Sequence, residues 1–217
     1  MKKFELTNEF ITNMFGTKLF RIRALVEFGD VEAGELGGYV EKESNLGHDD
    51  NAWVYGDARV YDNARVYDNA RVYGDAQVSG DAWVYGDARV YGDAWVYGDA
   101  RVYDNALVCG NARVYDNARV YGDAWVYGNA RVCGDAQVSG DARVCGNGDY
   151  AYAHGFGSVN RTTTFFRLKD GGVGVRCGCF YGTLAQFRDK IRETHGETKK
   201  AQEYLMLADL MKLRFEK

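Results

Sequence analysis

From residue 52 onward, small apolar residues recur with a period of six. Alanine stands at Ala52, Ala58 and every sixth position to Ala142, and valine follows each by two, from Val54 to Val144. The sixteen hexads read Ala-x-Val-y and then Gly-Asp, Asp-Asn or Gly-Asn, as in Ala82-Trp83-Val84-Tyr85-Gly86-Asp87. Residues two apart on an extended segment share a face, so Ala and Val point inward together while x and y point outward. The corner pairs are turn formers that tolerate left-handed backbone. Three short extended segments joined by such corners close one triangular coil. Coils stacked about 4.8 Å apart let each strand pair with its equivalents above and below. Three hexads per coil give about five coils, and a single coil buries too little to stand alone, so stability must come from stacking. A flattened two-sided roll with twelve residues per coil is the alternative winding. The cysteines separate the two. Cys133 and Cys145 are vertical neighbours only in the flat roll, whereas with eighteen residues per coil Cys109 and Cys145 share a face two coils apart, beyond disulfide reach.

The flanks of residues 51–147 differ from the run itself. Residues 1–50 read as an N-terminal cap that starts the first coil and shields open backbone. Residues 148–217 read as a small α+β domain. Thr162 to Leu168 and Val173 to Phe180 are expected to pair as a hairpin around Lys169-Asp170-Gly171-Gly172. Thr183 with Gln186 three residues later opens a helix carrying Leu184, Phe187 and Ile191 and ending before Gly196. Ala201, Tyr204, Leu205, Ala208, Met211 and Phe215 mark a second helix. The fold class expected is therefore mainly β: a single-stranded parallel β-helix with a C-terminal hairpin and two helices.

Two resemblances bear on the chain. The hexad resembles that of the left-handed β-helix in the hexapeptide-repeat superfamily, although this chain has Tyr, Ser or Cys where that family often has Gly after the inward aliphatic. The residues Phe28-Gly29-Asp30, Ala33-Gly34, Leu36-Gly37-Gly38-Tyr39 and Glu43-Ser44-Asn45-Leu46 resemble the opening of a group of bacterial and phage hexapeptide-repeat proteins. Some of that group are assigned as acyltransferases without an established activity. Residues 155–215, with Asn160-Arg161-Thr162-Thr163-Thr164-Phe165-Phe166 and Cys177-Gly178-Cys179-Phe180-Tyr181-Gly182-Thr183-Leu184, look like a domain that recurs in phage-associated proteins of gut bacteria. Together these imply a phage or prophage origin.

Charge changes the picture only locally. The net charge is -4, which argues against a whole-chain grip on nucleic acid or a membrane surface. Residues 148–217, however, carry 12 basic and 8 acidic side chains. Their second strand sets Arg176 and two glycines on the face opposite Val173, Val175, Cys177 and Cys179, which are expected to point into the core. Pairing across the hairpin should place Phe165 beside Arg176, Arg167 beside Gly174 and Thr163 beside Gly178. Together with Arg161, these residues form a candidate site for a nucleotide-like anion. On the rod, Trp83 is expected between Arg65 and Arg101 and Trp95 beside Arg113, with Tyr67, Tyr85, Tyr103 and Tyr121 in one ladder. Trp83, Trp95, Tyr85 and Tyr103 are the candidate partner surface.

Catalytic chemistry has little to stand on. Residues 51–147 contain no histidine, and the chain has only His48, His154 and His195. An acyltransferase would need His48 or His154 as a general base at a subunit boundary. A zinc site would need two ligands beyond Cys177 and Cys179, and His154 and His195 are the conceivable ones. The Gly-Asp pairs lack the nine-residue period of calcium-binding repeats, and without threonine the hexads do not suit ice. No metal or cofactor is expected. Five cysteines, an odd number, and an opening MKKFELTNEF without an apolar segment suggest a reducing, cytoplasmic setting. The functional expectation is a non-catalytic binding or scaffold protein. It would be a homo-oligomer, with three copies suggested by the superfamily resemblance. It would hold a nucleotide-like molecule or block a host defence protein. An acyltransferase and a structural or adhesive module are the alternatives.

Overall fold

The computed structural model describes residues 2–157, 159 and 161–216, so Asn160 of the motif quoted above lies outside the described residues. Strands β1 (Phe4–Thr12), β2 (Lys18–Ala24) and β3 (Leu36–Val40) open the chain. Sixteen two-residue strands follow at six-residue intervals, β4 (Trp53–Val54) through β19 (Arg143–Val144). Each pairs in parallel with the strand three hexads away, as Val54 with Val72 and Val84 with Val102. The result is a three-sided β-solenoid. Two faces, β3-β5-β8-β11-β14-β17 and β4-β7-β10-β13-β16-β19, have six rungs. The third, β6-β9-β12-β15-β18, gains its sixth from the Leu46↔Val66 bridge.

About six turns replace the five expected, because residues 36–46 already wind as a coil. Gly38 stands where later coils have alanine, its strand pairing Tyr39 with Arg59 and Val40 with Val60. A side chain there would strike the Ala58 carbonyl and the Val54 methyl, so close backbone approach requires glycine.

Every hexad Ala and Val from Ala52 to Val144 is buried. Side chains this small suit a narrow triangular interior, and each coil is sealed by its neighbours. The twelve-residue roll is thereby excluded. Cys133 and Cys145 follow strands of different faces, and all five cysteines are free thiols. Mild copper-catalysed oxidation of the full chain is accordingly expected to leave Cys133 and Cys145 uncoupled. A disulfide-linked peptide joining them would contradict the three-sided winding.

The corners explain the Asp-Asn hexads. Asp62, Asp68, Asp104 and Asp116 all have positive φ, 55–60°. Each carboxylate accepts the N–H of the glycine one coil on: Gly80 (3.1 Å), Gly86 (3.1 Å), Gly122 (3.3 Å) and Gly134 (3.2 Å). Where the first corner residue is aspartate the second is always asparagine, so no corner from residue 56 to 147 holds two aspartates.

The two ends of the rod are closed by opposite chemistry. At the first coils, bare carbonyls meet donors. Lys3 Nζ donates to Ala52 O (2.8 Å) and Asp50 O (2.9 Å), and Asn45 Nδ2 donates to Ala64 O (2.8 Å) and Asp62 O (3.1 Å). Burial pushes the Lys3 ammonium below the usual lysine range, against the pull of Asp50. At the last coil, bare N–H groups meet acceptors. Arg131 N–H donates to Asn147 Oδ1 (2.9 Å), Gln137 N–H to Thr164 Oγ1 (2.9 Å) and Cys145 N–H to Asp149 Oδ2 (3.0 Å). Trp53 and Phe4 plug one end, Phe166 and Tyr150 the other.

Beyond the rod, β20 (Tyr150–Phe156), β21 (Arg161–Arg167), β22 (Val173–Cys177) and β23 (Phe180–Thr183) form an antiparallel sheet against α1 (Leu184–His195) and α2 (Lys199–Phe215). Four strands stand where a two-stranded hairpin was expected. Gly178, at φ +58°, breaks the second strand, so that Phe180–Thr183 folds back as its own strand. Both helices start on threonine caps, Thr183 reciprocally with Gln186 and Thr198 through Ala201 N–H.

Candidate binding surfaces

The rod's outward side chains repeat at the rung spacing. Tyr67, Tyr85, Tyr103 and Tyr121 stack face to face, with centroids 4.9, 5.0 and 4.8 Å apart. Beside them the Trp83 ring lies between two guanidinium groups, Arg65 at 5.8 Å and Arg101 at 5.0 Å. On the face of β5 and β11, Arg113 lies 5.1 Å from the Trp95 ring, and Tyr97 stacks on Tyr115 at 5.0 Å. The face of β4 and β7 adds Tyr73 on Tyr91 at 4.7 Å, and Arg143 at 4.3 Å over Trp125. Trp125 had not been singled out, although it occupies the same x position. It is 45% exposed, the only rod tryptophan among the large apolar side chains most open to solvent.

Stacking shields the phenols. Burial, and then the neighbouring rings, push Tyr67 and Tyr103 up to about 12. Near the N-terminal end, Asp30 accepts from Tyr55 Oη (3.0 Å) and Arg71 Nη1 (2.8 Å). With Tyr73 and Arg89 these residues line a groove of about 300 Å³.

The candidate anion site of the C-terminal domain does not assemble as expected. The strands close at Leu168 and Gly172, with Leu168 N–H donating to Gly172 O at 2.9 Å, so the turn between them is one residue shorter than anticipated. Pairing therefore slips by one. Thr163 meets Cys177, Phe165 meets Val175 and Arg167 meets Val173, while Arg176 lies opposite Thr164. A one-residue slip exchanges the two faces. Thr163 and Phe165 are buried toward the helices, the threonine hydroxyl donating to Cys177 Sγ (3.2 Å). Arg167 ties down the end of α2, donating to Phe215 O at 3.0 Å. Arg176 faces the rod, 5.7 Å from the Tyr121 ring, and so closes the tyrosine ladder.

Of the five residues, Arg161 borders a cavity. That cavity, about 230 Å³, lies between β22, β23 and α1, and Cys177, Cys179 and His195 also line it. Cys177 is half-buried and Cys179 exposed, so the second cysteine leaves the core face expected for it. Among the described residues no three His, Cys, Asp or Glu side chains are grouped to hold a metal. Cys177 and Cys179 had been expected mainly in the core, with a zinc site as the alternative, and the aromatic residues around them as core. The available signal was the helical spacing of Phe187, Lys190, Ile191 and Thr194 on one face of α1.

The remaining histidines sit apart. His48 stacks on Phe4 at 4.3 Å and accepts the Lys3 N–H at 3.2 Å, and exposed His154 lies 2.8 Å from Thr162 Oγ1. No helix among the described residues is long and apolar enough to cross a membrane.

Comparison with known proteins adds to the rod alone. Residues 64–80, 76–92, 82–98, 96–110 and 112–128 match the family model described as the YdcK Beta solenoid repeat. No curated protein matches the chain. Over its coils, then, the chain is similar to the YdcK beta-solenoid repeat, and it is a repeat β-helix protein.

Proposed function

We propose that the protein is a non-catalytic binding module that self-associates through the rod's aromatic and cationic columns. The observation that carries this reading is the unbroken column of Tyr67, Tyr85, Tyr103 and Tyr121 with Trp83 held between Arg65 and Arg101. Rigid aromatic rings fixed by their own neighbours lose little conformational freedom on docking, and Tyr, Trp and Arg dominate interface energetics. A flat face repeating at a constant spacing offers a second copy the same rings at matching heights, a repetition that an isologous contact can use. A host protein, implied by the phage resemblance of residues 155–215, would meet the same columns. The acyltransferase alternative gains nothing from His48, committed to Phe4 and Lys3.

Analytical ultracentrifugation across a concentration series tests self-association. Replacing Trp83 and Tyr85 together by alanine should weaken it by about 30-fold or more, the effect of losing one interface hot spot. Wild-type protein that stays monomeric at every concentration, or an assembly indifferent to the double substitution, would refute the proposal.

A further inference from the structure

The cavity of the C-terminal domain combines features that the rod-face reading leaves unused. Its floor is aromatic and aliphatic. Phe187 meets Tyr204 edge-on at 5.8 Å and Phe180 at a tilt at 5.4 Å, with Ile191 beside them. Walls of this kind favour a flat ring, which can meet one face and one edge at once. Its lining includes Arg161, Lys190 and His195 and no acidic side chain. Lys190 shares its ammonium with Glu193 (2.9 Å), whereas the Arg161 guanidinium has no hydrogen-bond or ion-pair partner among the described residues. It lies so close to Gly178 that any side chain at that left-handed position would collide with it. The Cys177-Gly178-Cys179 turn therefore leaves bare backbone beside the exposed Arg161 guanidinium at the cavity mouth.

We infer that this cavity binds a small aromatic anion, an aryl carboxylate or aryl phosphate, with the ring among Phe180, Phe187 and Tyr204 and the anionic group on Arg161. A volume of about 230 Å³ holds a ligand on the order of ten non-hydrogen atoms, smaller than a nucleotide. The planar guanidinium fork suits both anionic groups. The ligand sits over Cys177 and Cys179, so bound ligand shields both thiols.

That shielding supplies the test. Phenyl phosphate, with inorganic phosphate and benzyl alcohol as single-feature controls, is added to the full chain before iodoacetamide. Alkylation is then followed at each cysteine by peptide mass spectrometry, with exposed Cys145 of the rod as internal reference. Phenyl phosphate, with a Kd on the order of 1 mM for a ligand of this size, should slow Cys177 and Cys179 several-fold at saturation and leave Cys145 unchanged. Arg161→Gln should weaken protection about tenfold, the loss of one charge-assisted contact. Thr194→Trp, at the exposed rim, should block entry with the fold intact by circular dichroism. Equal alkylation with and without phenyl phosphate, equal protection by either control, or unchanged protection in Arg161→Gln would each overturn the inference.

Discussion

Replacing Val102 by aspartate is expected to unfold the whole rod rather than one coil. Val102 is fully buried in the middle rung of its face, between Val84 and Val120, in an interior of alanine and valine that offers a carboxylate no partner. Burying an unpaired charge costs more than about 4 kcal/mol, against a total stability of about 5–15 kcal/mol for a typical domain. Because each coil is sealed only by its neighbours, the loss is transmitted in both directions. Urea denaturation followed by circular dichroism, together with hydrogen exchange, should show protection lost from β4 to β19 together. Arg101→Asp, one residue away but outward, should stay within about 1 kcal/mol of wild type. If Val102→Asp abolished protection in one coil while both flanking segments kept theirs, the coils would be energetically independent.

The second large effect concerns alkaline pH. Burial holds the Tyr67 and Tyr103 phenols at about 12, and Tyr73, Tyr85 and Tyr97 are raised as well, against about 10 in an unfolded chain. The folded state therefore keeps protons that the unfolded state sheds. Stability from these phenols is fully present below pH about 10 and is lost as pH rises from about 10 through about 12. Each fully differing tyrosine steepens the loss by up to about 1.4 kcal/mol per pH unit, less where solvent screens it. The urea midpoint should fall steeply over that window, alongside tyrosinate absorbance. Tyr103→Phe, which keeps the stacked ring and removes the ionising hydroxyl, should make the fall shallower. A midpoint flat through the window would show that the ladder gives its phenols no protection.

The rod was legible in the sequence because its code is local and redundant. A six-residue repeat with inward Ala and Val fixes the face of every side chain, so Trp83 between Arg65 and Arg101 followed from spacing once three hexads were assigned to a coil. Residues 36–46 were expected only within a cap that starts the first coil, and their full coil was obscured because Gly38 stands in for alanine and Leu46 for valine. Beyond residue 147 the code stops, and the outcome depends on turn length. One residue fewer in the turn between Leu168 and Gly172 exchanged the faces of the strand pair. Thr163 and Phe165 turned inward and Arg176 turned toward the rod, so the expected anion site dispersed while Arg161 fell beside a cavity built largely by α1. That cavity arises from packing between distant segments, which no local spacing encodes.

The complementary closures of the rod separate two kinds of information in the chain. Lys3 and Asn45 at one end, and Asn147, Thr164 and Asp149 at the other, terminate the stack without reference to how many coils lie between them. Length is thus a modular quantity, open to duplication or loss of sequence in steps of three hexads with both ends still fitting. A change of one hexad would instead carry the C-terminal domain a third of a turn to another face and move Arg176 off the tyrosine column. Recombination within such a gene would then pass only those products that preserve the phase, and descendants would differ in reach while presenting the same terminal domain over the same edge.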